Sequence, residues 1–275
     1  MVRSSGVPDP SPTIVTLATN PLSDQSDGGA RVCQRGDLDC ASTMNVPRAF
    51  SAMLVSAGTA ILLVTIPLVQ ILSDRAYFAA VQDRHAIGRT TEFGAEEIAP
   101  INEAIVRFFA SEMSLPDALA STGAPVQVFG DREIDHMEDV RALVRAVGST
   151  RDLGTVLVVL GGGLAILARP RDGLRSVLNA VSRGAAATIG LLALLGAIAL
   201  ADFGALFTQF HLVSFTNDLW MLDPRTDNLI RIFPFGFWLE ATLTLAVRCA
   251  FWSVLVLVGA LTLSALARRR PEGLR

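Results

Sequence analysis

The run from Ala49 to Leu72 contains no charged side chain, and a helix needs about 20 apolar residues to cross a hydrocarbon core about 30 Å thick. A segment this long and this apolar makes the chain an integral membrane protein before any motif is considered. Leu153 to Ala168, Gly184 to Ala201 with an aromatic extension to Phe207, and Cys249 to Ala267 have the same character. With 51% hydrophobic residues overall, these segments predict an all-α polytopic protein. Its spans fall at about 49–72, 151–168, 184–207 and 247–267, with outer loops at 73–150 and 208–246. The outer loop between spans one and two is expected to be a helical extracytoplasmic region, and the segment between spans three and four to lie at the interface. Gly161, Gly162 and Gly163 in the second span suit close helix contact, because small residues let backbones approach in lipid.

Arginine placement sets an expected orientation. The basic residues are all Arg, and "RPRDGLRSVLNAVSR" between spans two and three holds four of them against one Asp, while "RRR" follows span four. Both segments, and therefore both termini, are expected on the cytoplasmic side of a cell membrane. Leu174, Val177, Leu178 and Val181 at helical spacing predict an amphipathic helix lying on the inner leaflet. Residues 1–47, rich in Ser, Pro, Asp and Gly, predict a disordered cytoplasmic tail without a cleavable signal peptide. Cys33 and Cys40 would then sit on the reducing side and Cys249 in the membrane, so no extracellular disulfide is expected. A net charge of -3 and Arg residues that follow topology give no support to nucleic-acid binding.

Two polar motifs stand at the outer rim. "GDREIDHMEDVRALVRAV" reads as a helix beginning at Asp131, which could accept an early backbone N–H, with Glu133 in the first turn. Met137, Val140, Val144 and Val147 form its apolar stripe. His136 lies at the stripe's edge with Glu133 and Asp139 each three residues away, and a short break before span two is expected. The second motif runs from Asp202 to Ile230. Asp202 sits inside the expected membrane boundary, where a carboxylate needs a partner, and an ion pair with Arg248 is the natural one by depth. His211 follows on a face with Phe203, Phe207 and Phe210. Asp223-Pro224 predicts a turn, with Thr226 or Asp227 capping a short helix through Arg231. His85 and Tyr77 read as ordinary loop or interface residues.

"DREIDHMEDV", "FHLVSFTNDLWMLDPRTDNLI" and "FPFGFW" together resemble the Lit-type integral membrane family over about Ala49 to Ala267. Characterised members of that family are lipoprotein intramolecular transacylases. They move an acyl chain from the sn-2 ester of a lipidated N-terminal cysteine to that cysteine's own α-amino group. The resemblance implies catalytic roles for His136 and His211 and a diacylated lipoprotein N-terminus as substrate. Phe235, after Pro234, departs from an acidic residue in the family pattern.

The residues themselves suit that chemistry. Amide is more stable than ester, so the transfer needs no cofactor, and no Gly-x-Ser-x-Gly elbow or outer cysteine offers an enzyme nucleophile. An α-amine of pKa about 7.7 to 8.0 can be freed by an imidazole of pKa about 6.5. In this reading His136 is the preferred base that takes the amine proton and His211 stabilises the oxyanion or protonates the leaving hydroxyl, with the reverse assignment as the alternative. Arg132 and Asn217 are candidates for binding the oxyanion or ester, and Asp139 and Asp218 for orienting an imidazole. Two other readings stand beside it. One is a metal-dependent membrane hydrolase with His136, His211 and Glu133 or Asp139 as ligands. The other is a non-catalytic scaffold or lipid-binding protein.

Overall fold

The computed structural model describes residues 38–268, with residues 38–47 and 90 described by backbone alone. The chain divides into Met1–Ala41 and Ser42–Arg275. Of the first unit only residues 38–41 are described, as helix. The disorder expected of residues 1–37 and the setting of Cys33 therefore lie outside the described residues. The last ten residues of the expected tail, 38–47, are helical instead and begin α1 (Leu38–Leu72).

All regular structure among the described residues is helical, and four helices are long and apolar enough to span a membrane. They are α1 from Arg48 onward, α6 (Asp131–Ala168), α7 (Gly173–Ala201) and α10 (Phe235–Arg268). Three differ from expectation in one respect: they run on beyond the apolar segment. α6 has 38 residues, about 57 Å at about 1.5 Å per residue, so it is nearly twice the length a hydrocarbon core requires. Its charged first half, about 131–150, stands outside the membrane, and no break separates it from the span. The short break expected before span two is absent, and Gly148, Ser149 and Thr150 continue the helix. Likewise, Leu174 to Val181 form the first turns of α7 instead of a separate surface helix. α10 begins at Phe235, twelve residues before the expected start of span four at 247.

Span three ends earlier than its hydropathy implied. α7 stops at Ala201, and Asp202 opens a second helix, α8 (Phe203–Ser214), by accepting the Ala205 N–H at 2.9 Å. The carboxylate is satisfied by backbone, and the expected Asp202–Arg248 ion pair does not form among the described residues. Arg248 instead lies 5.5 Å over the Tyr77 ring. A cap needs only the residue's own helix, whereas the ion pair needed a distant cation at matching depth.

Between the spans the close contacts are made by particular glycines. A Cβ on Gly58 would sit 2.6 Å from the Gly154 carbonyl oxygen, and one on Gly161 would sit 2.9 Å from the Ser51 oxygen, so α1 and α6 touch backbone to backbone. Gly184 of α7 does the same to the Ser56 oxygen at 2.5 Å. Of the glycine triplet only Gly161 serves this purpose, since Gly163 faces open space and Gly162 merely touches Val177.

Outside the membrane the loop 73–130 folds into a small cap of α2 (Arg75–Arg84), α3 (Ile87–Thr90), α4 (Ala95–Ala110) and α5 (Leu115–Thr122). α4 buries Ile98, Ile101, Ile105 and Phe108, three or four residues apart on one face, which is what forces it to be a helix against a core. Ser114 accepts the Asp117 N–H to start α5, and Gly123 ends it at φ 76°, a conformation that suits a residue without Cβ. The cap's core also takes in Phe129, Met137, Ile232, Phe233 and Phe237, joining it to α6, α10 and the five-residue helix α9 (Asn228–Ile232). Gln82 and Asn102, both buried, exchange amide hydrogen bonds, and Gln82 also donates to the Ile232 carbonyl at 3.4 Å. Burial of an aromatic or large aliphatic side chain contributes about 1.5–3 kcal/mol. The cap is therefore a packed body that fixes the outer half of α6.

Candidate active site

Each histidine reaches the same place by a different route. His136 is one and a half turns into α6 and buried, next to Met137, which packs into the cap core. α6 starts at Asp131, but its N-cap is Gly130 and not Asp131: Glu133 accepts the Gly130 N–H at 2.7 Å through Oε2. Its Oε1 accepts the Leu229 N–H at 2.5 Å. One carboxylate thus closes the first turn of α6 and ties it to the start of α9. Burial pushes this carboxyl above its ordinary range, opposed by the backbone bonds from Gly130 and Leu229. With each oxygen accepting a backbone N–H group, Glu133 is a structural clasp between α6 and α9.

His211 comes from the last turn of α8, which exists as a separate helix because Asp202 caps it. The two rings lie 6.2 Å apart between centroids and 32° from parallel, although 75 positions separate them in sequence. Both residues are buried, at 7% and 8% exposure. Phe215 packs edge-on to His136 at 5.1 Å and lies 5.7 Å from His211. Phe207 at 4.4 Å, Trp220 at 4.9 Å and Phe210 at 5.2 Å complete an aromatic enclosure around His211.

Hydrogen bonding distinguishes the two imidazoles. His211 Nδ1 stands 2.8 Å from the Phe207 carbonyl oxygen. A carbonyl only accepts, so Nδ1 must carry the proton and the lone pair of the neutral ring lies on Nε2. His136 Nδ1 is fully buried and has no hydrogen-bond partner among the described residues, a situation that costs about 1–3 kcal/mol unless something else supplies a partner. Burial lowers the His136 pKa to about 4, with the nearby His211 adding to the effect and Asp139 opposing it. Burial also lowers His211, opposed by its bond to Phe207. Near neutral pH both rings are uncharged.

The remaining sequence candidates serve as a latch for the 214–220 segment. Asn217 donates to Asp139 Oδ2 at 2.8 Å, and its own oxygen accepts the Leu219 N–H at 3.1 Å. Arg132 donates to the backbone carbonyls of Asp218 and, at 3.5 Å, of Leu219. Asp139 therefore bonds to Asn217 instead of an imidazole, and Asp218 contributes its carbonyl and not its carboxylate. Arg132 and Asn217 are engaged with protein groups, so their effect on the reacting centre is to hold Phe215 and Trp220 over it.

Three further residues shape the site without a distinct signal in the sequence. Phe215 and Trp220 carried no signal beyond general aromaticity. His85, whose sequence setting reads as an ordinary loop, pairs with Glu240 at 3.1 Å, beside the Arg84–Glu240 ion pair. It packs so tightly on α10 that a Cβ on Gly236 would lie 2.8 Å from its ring. Gly236 in "FPFGFW" was the one local hint, since a close approach there requires a residue without a side chain.

A four-span helical membrane protein whose extramembrane cap and broken third span bring two buried imidazoles together is the class defined by this fold and site. The sequence matches the family described as lipoprotein intramolecular transacylase Lit over residues 52–238, and the chain belongs to that family. Its fold resembles the structure of the membrane integral lipoprotein intramolecular transacylase Lit from Bacillus cereus. The TM-score is 0.68 at 16% identity, with 82% of this chain and 98% of that chain covered. A structure of the same Bacillus cereus protein with one histidine replaced by arginine gives 0.67 at 16% identity, covering 86% and 100%. A relative described as an uncharacterized protein of Aquifex aeolicus (strain VF5) is 29% identical over 133 residues, which span 48% of this chain and 56% of that protein's length.

Proposed function

We propose that the chain is a membrane acyltransferase that moves an acyl group from the sn-2 ester of a lipidated N-terminal cysteine to the α-amino group of the same cysteine. The supporting observation is the pair of buried imidazoles from separate segments, one with a fixed tautomer and the other with an unsatisfied nitrogen. In the step, a C–N bond forms at the ester carbonyl carbon and the C–O bond to glycerol breaks. One proton passes from nitrogen to the glycerol oxygen, and no outside reactant is consumed. Donor and acceptor belong to one molecule, so positioning replaces the covalent enzyme intermediate used elsewhere.

His211 is the better base. Its Nδ1–H is anchored to a carbonyl, which orients the ring and supports charge on it, and its Nε2 lone pair takes the amine proton and returns it to the leaving oxygen. His136, held uncharged, donates from Nδ1 to the carbonyl oxygen as negative charge develops there. This reverses the assignment favoured from sequence. Substrate reaches the rings by displacing Phe215 and Trp220 as the 214–220 latch opens. The partner is a lipid-anchored lipoprotein at the membrane surface, the histidines face the extracytoplasmic side, and both termini lie with the arginines in the cytoplasm.

The test is His136→Gln and His211→Gln, made separately. Mass spectrometry of a lipoprotein N-terminal peptide reads the lyso-form from cells expressing each variant. Loss of a positioned acid or base costs about 10²–10⁴-fold, so each should reduce the lyso-form to background while the protein remains folded in the membrane. Wild-type levels from either folded variant would remove that histidine from the mechanism.

A further inference from the structure

The far end of the helices carries a second polar site. From His136 to Ala168, α6 rises about 48 Å at about 1.5 Å per residue, and beyond the turn that follows lies a cavity of about 520 Å³ between α1 and α7. Arg48 enters from α1, and Asp172, Arg175, Ser176, Asn179 and Arg183 line it from the start of α7, with Ala49 and Ala52 as an apolar floor. Among the described residues no carboxylate forms an ion pair with Arg48, Arg175 or Arg183. Asp172 offsets one of the three charges, which leaves the wall with an excess of two. Arg183 is braced by its Nε bond to the Asn179 carbonyl at 3.2 Å. Asn179 accepts from Ser264 through its side-chain oxygen at 3.1 Å, leaving its amide nitrogen as a donor.

Guanidinium groups converging from two helices match the geometry of a phosphate, and basic pockets between spans at the membrane surface take anionic headgroups. Two features favour a lipid over a free anion. The cavity sits where the uncharged run of α1 begins, at headgroup depth. The adjacent Phe50 and Met53 on α1 and Leu174 on α7 are exposed, at 50%, 59% and 59%, and offer a path for acyl chains. We propose that this cavity binds the phosphate headgroup of an anionic phospholipid, held by Arg48, Arg175 and Arg183. The site does not depend on the acyl-transfer chemistry.

Full-length protein in zwitterionic detergent is titrated with short-chain phosphatidylglycerol, short-chain phosphatidylcholine and inorganic phosphate, and bound species are counted by native mass spectrometry. Phosphatidylglycerol should bind, phosphatidylcholine should bind at least tenfold more weakly, and phosphate should not compete at equal concentration. A cationic side chain near the surface is worth about 1 kcal/mol, so Arg175→Gln with Arg183→Gln should weaken phosphatidylglycerol about 30-fold, with the Lys pair closer to wild type. Should the Gln pair fail to fold, Arg48→Gln alone should weaken it about fivefold. Unchanged affinity in a folded variant, or phosphatidylcholine binding equally, overturns the proposal. Competition by inorganic phosphate at equal strength would make this a free-anion site and overturn the lipid assignment.

Discussion

Substituting alanine at Gly184 and at Gly163 applies the same chemical change to two positions whose surroundings differ in one way. At Gly184 the new methyl would lie 2.5 Å from the Ser56 carbonyl oxygen and 2.8 Å from the Thr59 Cβ. Ordinary contact begins near 3.4 Å, so α1 has to withdraw by about 0.9 Å. The blocking oxygen belongs to the backbone of a continuous helix and cannot rotate away. Withdrawal also stretches the 2.8 Å bond that Ser56 Oγ donates to the Ala180 carbonyl beyond hydrogen-bonding range. Overpacking costs about 1–3 kcal/mol and the lost bond about 0.5–1.5 kcal/mol, for a total of about 1.5–4.5 kcal/mol. At Gly163 nothing lies within 4 Å, and helix propensity favours alanine by up to about 1 kcal/mol. Thermal unfolding in detergent, followed by tryptophan fluorescence, should therefore place Gly184→Ala about 10 °C below Gly163→Ala. Equal melting temperatures, or the reverse order, would refute the assignment of Gly184 as the point of closest approach.

Two further outcomes are expected. His136 is held near about 4 in the folded protein against about 6.5 in solution, so between those values the unfolded chain takes up a proton that the folded chain refuses. Its contribution, up to about 3 kcal/mol, is fully present above pH about 6.5 and fades on acidification toward 4. Glu133 acts with the opposite sign because burial raises its carboxyl, so the comparison is with His136→Gln, whose melting temperature should fall less between pH 7.5 and 4.5. Parallel curves would show that His136 is not shielded as described. Arg132→Ala frees the carbonyls of Asp218 and Leu219 and should lower lyso-form production by about tenfold (about 1.4 kcal/mol, at the lower edge of what a hydrogen bond to a charged group contributes). Undiminished production would mean that the latch does not position the site.

The two histidines were legible because their motifs survive as contiguous strings, and so were the four spans, because hydropathy is a property of each residue summed along the chain. The same locality misled where elements meet. A short break was expected before span two, but the cap grips the outer half of α6 through Arg141 and Arg145, which donate to the Met113 and Ser111 carbonyls. Asp202 read as a membrane charge needing a cation, although its own next turn satisfied it. Asp139 and Asp218 were placed near imidazoles by proximity in sequence, whereas the folded chain turns them to Asn217 and Arg132.

Sequence alone determined that this chain is an all-helical membrane protein and which imidazoles are candidates, since apolar run length and residue identity need no partner to be read. Tertiary structure decided that the rings stand 6.2 Å apart, that His211 carries its proton on Nδ1, and that Glu133 clasps two helices. Distance, tautomer and desolvation are properties of groups far apart in sequence. Their values come into being only when packing excludes water and sets one segment against another.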